Sequence, residues 1–133
     1  MIVLDSSAIM AILNNEPERR MIYDAIWAAD RRLVSAVTFQ EVGQVLLARF
    51  GINGFYDLED LLALIDAEIL PYDAQQAINA IYAFQSYGKG INPKSKLNFC
   101  GCAAYAAAKT IGAPLLYIGN DYPNTDIEPA YRP

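Results

Sequence analysis

The chain has 133 residues, 54% hydrophobic and 19% charged, which suits one domain with one core and excludes a disordered tail protein. It contains no histidine, so Ser-His-Asp and Cys-His catalysis and imidazole metal ligation are all excluded. With a formal net charge of -5, contact with nucleic acid needs a local basic patch or a bound cation.

Met1-Ile2-Val3-Leu4-Asp5 is an apolar run broken by an aspartate with no basic segment before it, so it reads as a buried strand rather than a signal peptide. Ser6 or Ser7 is expected to cap a helix over 8–13, and Asn15, ahead of Glu16-Pro17-Glu18, a second helix reaching about Ala28. Residues 33–37 form the second apolar run. Thr38 is expected to open a helix over 39–50 that Gly51 stops. Tyr56, Leu58, Leu61, Leu62 and Ile65 mark a further helix face, and residues 68–70 a third strand. Asp73 caps a helix over 74–87 ended by Gly88. The last helix spans 97–111, with Gly112 and Pro114 beyond it, and residues 115–118 make the fourth strand.

The four strand runs are mainly apolar rather than alternating, the pattern of strands covered on both faces. Their alternation with helices predicts a single α/β domain over 1–133, a three-layer α/β/α sandwich with a mainly parallel sheet of four to five strands. No apolar stretch approaches the roughly 18 residues of a membrane span. Cys100 and Cys102 are too close in sequence for a good disulfide and read as core thiols of a reducing, cytoplasmic protein.

In such a fold, strand carboxyl ends and helix amino ends share one edge, where ligands bind. Asp5, Glu41, Asp73 and Asp121 are all expected there. Each has a structural reading too. Asp5 can cap the next helix, Asp121 can serve its turn, and Asp73 reads mainly as a cap. Glu41 closes a Thr38-x-x-Glu41 capping box, a reading that balances the functional one. Clustered carboxylates repel one another and either take up protons or hold a cation. Oxygen ligands without histidine favour Mg²⁺ or Mn²⁺, which suits phosphodiester hydrolysis and lets an acidic cleft receive a polyanion. Ser7 and Asn98 are either helix caps or polar groups facing substrate. Lys89, Lys94 and Lys96 are either a solvated loop or contacts to an RNA backbone. Asn120 and Asp126 are fallback ligands. Tyr23, Trp27, Phe39, Tyr56 and Tyr82 are expected in core or dimer packing.

The opening Met1-Ile-Val-Leu-Asp5-Ser6-Ser7-Ala8 and the stretch Ser35-Ala36-Val37-Thr38-Phe39-Gln40-Glu41-Val42 resemble a PIN domain. Tyr87-Gly88-Lys89-Gly90, Leu97-Asn98-Phe99, Gly112-Ala113-Pro114-Leu115-Leu116 and Gly119-Asn120-Asp121-Tyr122-Pro123 with Thr125-Asp126-Ile127 are similar to the VapC toxins of type II toxin–antitoxin systems. The resemblance spans essentially the whole chain. It implies a Mg²⁺-dependent endoribonuclease, a homodimer, neutralised by a VapB-type antitoxin, with Asp5, Glu41 and Asp121 as catalytic metal ligands. One position departs from the pattern. Where the family places an acid after Leu97-Asn98-Phe99-Cys100, this chain has Gly101, which offers no ligand atom. That leaves open a second function, a PIN-fold protein impaired in catalysis that acts through antitoxin association.

Overall fold

A computed structural model describes residues 1–131. Four strands, β1 (Ile2–Leu4), β2 (Arg32–Ser35), β3 (Ala67–Leu70) and β4 (Leu115–Leu116), form one sheet in the order β3-β2-β1-β4. Every pairing is parallel, with Val3 opposite both Leu33 and Leu115. Six helices surround it: α1 (Ser6–Leu13), α2 (Arg19–Ala28), α3 (Ala36–Phe50), α4 (Ile52–Leu64), α5 (Ala74–Tyr87) and α6 (Phe99–Ile111).

Strand side chains alternate between faces, and this divides the core in two. Val3, Leu33 and Leu115 pack with the alanine-rich α6, with Ala80 and Ala83 of α5, and with Tyr122 and Ile127. Ile2, Leu4, Val34 and Leu116 pack on the other face against Ile9, Ile22, Ile26, Val42, Leu46 and Leu58 of α1 to α4. The expected three-layer sandwich is present, with four strands. Small side chains let α6 lie close over the sheet: Ala103, Ala104, Ala106, Ala107 and Ala108 are fully buried.

Several local expectations are corrected. The second strand stops at Ser35, whose hydroxyl accepts from the Val37 amide and starts α3 three residues earlier than Thr38 would. Asp5, rather than Ser6 or Ser7, caps α1. Asn15 adopts a left-handed conformation (φ 55°), so α2 begins only at Arg19 and has no side-chain cap. The fourth strand is two residues long, because after Leu116 the Ile118 amide turns to the Ser7 hydroxyl. β3 lies at the sheet edge with Glu68 and Ile69 exposed, so it is not covered on both faces. Trp27, Tyr56 and Tyr82 are exposed, so of their two expected settings the core is corrected and packing against a second chain is untouched.

Candidate active site

Asp5 is held at the centre of the sheet's carboxyl edge. Its backbone amide extends the β1–β4 ladder by donating to the Leu116 carbonyl at 2.9 Å, and the residue is buried. One carboxylate oxygen, Oδ2, accepts from the Ser7 amide at 3.0 Å and the Ser7 hydroxyl at 2.7 Å. The other, Oδ1, accepts from the Tyr122 hydroxyl at 2.7 Å. Ser7 Oγ in turn accepts from the Ile118 amide at 2.9 Å, which ties α1 to the chain leaving β4. The cap and the site are therefore the same residue. Oδ2 has both acceptor directions filled, and Oδ1 keeps one open.

Glu41 lies on the second turn of α3. Since Ser35 caps that helix, Thr38 is interior and buried, and the Thr38–Glu41 capping box does not form. The glutamate is left to the cleft. Partial burial raises its carboxyl above the ordinary value, hydrogen bonding from Ser6 pulls it down, and the charge of Asp5 raises it again. Cys100, the second residue of α6, adds a weak opposing hydrogen bond. Its thiol is pushed up to about 11 by burial and by Glu41, so it is a neutral neighbour of the acid. A cleft of about 500 Å³ opens beside Glu41, lined by Gln40, Gln44, Tyr72, Phe99 and Cys100 among others.

Asp121 is exposed on the loop after β4. It does not close a three-acid cage with the other two: among the described residues, no group of three His, Cys, Asp or Glu side chains is arranged to hold a metal ion. The three acids do share one neighbour, the Tyr122 phenol. Burial holds that phenol far above the usual tyrosine range, and the charges of Asp5, Asp121 and Glu41 all add to the effect. Tyr122 was not among the residues singled out from the sequence. The only signal was an aromatic set in a polar turn three residues after Gly119.

The remaining candidates divide. Asp126 points away from the rim: its carboxylate accepts from the Tyr105 hydroxyl and pairs with Lys109 Nζ at 3.0 Å. Burial would raise this carboxyl, but those two hydrogen bonds outweigh it and hold it below the ordinary value. It is thus an α6 partner and not a fallback ligand. Asn120 is exposed. Asn98 caps α6, accepting from the Gly101 amide at 2.8 Å, and Asp73 caps α5 through the Gln76 amide at 2.9 Å. Ser7 is engaged by Asp5 and Ile118. Lys89, Lys94 and Lys96 are exposed, and the Asn124 amide donates to the Lys94 carbonyl, fastening the lysine loop to the loop after β4.

The donor chemistry suits a hard divalent cation in an open shell. Asp5 and Glu41 lie close enough for the charge of one to raise the other, and together they present oxygen ligands; Mg²⁺ is commonly held by one or two carboxylates with the rest of its shell water and phosphate.

Residues 2–128 match the family model of the PIN domain. The chain is 37% identical over 125 residues to ribonuclease VapC30 of Mycobacterium tuberculosis, covering 94% of this chain and 95% of that protein. The crystal structure of VapC20 from M. tuberculosis, a Sarcin-Ricin loop cleaving toxin, superposes with a TM-score of 0.77 at 14% identity, over 100% of both chains. A chain of a toxin–antitoxin complex from Klebsiella pneumoniae gives a TM-score of 0.70 at 16% identity over 98% of both.

Proposed function

The chain belongs to the PIN domain family, and from that premise we propose that it works as a VapC toxin, an endoribonuclease whose partner is a VapB-type antitoxin. The observation that carries this reading is the Asp5–Glu41 pair at the centre of the sheet's carboxyl edge, with Glu41 raised partly by the charge of Asp5.

Asp5 and Glu41 are the residues that would hold Mg²⁺ or Mn²⁺, with Asp121 acting through water from its loop. Bound there, the cation supplies water activation and neutralises charge on the phosphodiester. Ser7 fixes the Asp5 carboxylate through Oδ2, so its orientation is set before substrate arrives. Lys89 and Lys94, on a loop fastened to that after β4, contact the RNA backbone and offset the acidic rim. Exposed Phe99, at the mouth of the cleft, offers a ring on which a base can stack. Two apolar faces, Ile78, Ile81 and Tyr82 on α5 and Leu47, Phe50 and Leu64 on α3 and α4, supply surface for the antitoxin and for a homodimer.

The absence of a three-acid cage and the glycine at 101 favour one alternative, a PIN-fold protein that binds the antitoxin and cleaves poorly. Induced expression in a bacterial host separates the two. The toxin reading expects growth arrest, relieved by Asp5→Asn and by co-expressing the small protein encoded beside this gene. Antitoxin binding without growth arrest supports the alternative.

A further inference from the structure

Gly101 and Tyr122 meet at the rim from different elements. A Cβ built on Gly101 would lie 3.4 Å from the Tyr122 hydroxyl and 3.2 Å from Asn98 Oδ1, tight contacts but without overlap. The same hydroxyl reaches the Gly101 carbonyl at 3.3 Å and donates to Asp5 Oδ1 at 2.7 Å. Tyr122 is buried, and its ring packs on Tyr117 with centroids 4.9 Å apart, so the phenol cannot swing aside cheaply. It stands between Asp5 and Gly101.

We propose that Gly101 and Tyr122 act as one unit in ion binding, the phenol hydroxyl filling the room left at 101 and holding the Asp5 oxygen that an ion would otherwise share with a ligand there. The inference rests on the reading of the rim as a divalent-cation site. Asp5 Oδ2 is already filled by Ser7, so an ion is left the open direction of Oδ1, beside the phenol, whose hydrogen bond draws on the charge of the same oxygen. A carboxylate added at 101 finds the phenol in its path. Removing the hydroxyl first clears both the space and the oxygen.

The test is Mn²⁺ affinity, read by electron paramagnetic resonance of the free ion, for the full chain and for Tyr122→Phe, Gly101→Asp and the double variant. Thermal melting confirms that each is folded. Tyr122→Phe alone should tighten binding at least about three-fold, since a hydrogen bond competing for a charged acceptor is removed. Gly101→Asp should change affinity little with Tyr122 in place and tighten it roughly ten-fold in the Tyr122→Phe background, the non-additivity of residues in direct contact. Weaker binding by Tyr122→Phe, which is independent of whether an aspartate at 101 folds, overturns the proposal by making the phenol a support for the ion. Equal tightening by Gly101→Asp in both backgrounds overturns the coupling and leaves the metal site standing. No Mn²⁺ binding by any of the four proteins overturns the metal reading itself, and the coupling with it.

Discussion

The Tyr122 hydroxyl donates to Asp5 Oδ1 at 2.7 Å across 117 positions of sequence, closing the loop after β4 onto the end of β1. A buried hydrogen bond to a charged acceptor contributes more than a neutral one, and its loss leaves an acid oxygen short of a partner. Tyr122→Phe should therefore lower unfolding free energy by about 2 kcal/mol, measured by urea denaturation at neutral pH without added metal.

Glu41 predicts the opposite sign. Burial first, and then the charge of Asp5, raise its carboxyl above the ordinary value of 4.5, so the folded chain holds this proton more tightly than the unfolded chain. The stability tied to Glu41 is full below pH 4.5 and is lost as pH rises through the higher folded value. Glu41→Gln should accordingly raise the melting temperature at neutral pH, with the gain shrinking as the solution is acidified toward 4.5. Added Mn²⁺ should stabilise the parent chain more than the variant.

Arg32 offers a test remote from the rim. At the start of β2, its guanidinium donates to the carbonyls of Ile65 at 2.7 Å, Ile26 at 3.2 Å and Ala29 at 2.5 Å, and stacks 5.5 Å from the Trp27 ring centroid. It thus adds donors at the end of α2, where Ile26 otherwise accepts only the long Ala29 amide bond at 3.3 Å, and ties it to Ile65 at the end of α4. Arg32→Met keeps the apolar stem and removes the donors. It should cost roughly 2–3 kcal/mol in chemical denaturation, while leaving Mn²⁺ affinity unchanged.

Gly54 sets the α3–α4 crossing. A Cβ there would lie 2.5 Å from the Leu46 carbonyl oxygen and 3.1 Å from Phe50 Cβ, closer than backbone can accept without moving. Gly54→Ala should destabilise by roughly 2–3 kcal/mol despite the better helix propensity of alanine. The urea midpoint reads this directly.

Much of the architecture was legible because strand and helix periods and most caps act locally. The apolar runs at 2–4 and 67–70, the Asp73 cap and the Gly112 stop lie within a residue or two of where pattern places them. The failures came from competition between nearby polar residues. Ser35 took the cap that Thr38 also offered, and that one choice freed Glu41 for the cleft. Asp5 served as cap and rim acid together, roles that sequence presents as rivals. Exposure of Trp27, Tyr56 and Tyr82 was hidden because periodicity marks a face without saying what covers it. Tyr122 and Arg32 escaped notice since their partners lie far away in sequence, and only the folded chain brings a phenol to Asp5 or a guanidinium to Ile65.

Cleavage of RNA by the purified chain, free of antitoxin, is the most direct measurement of all. Cleavage that needs Mg²⁺ or Mn²⁺, stops in EDTA and is lost in both Asp5→Asn and Glu41→Gln is the predicted result. Cleavage that persists in EDTA, or that survives both substitutions, would contradict it.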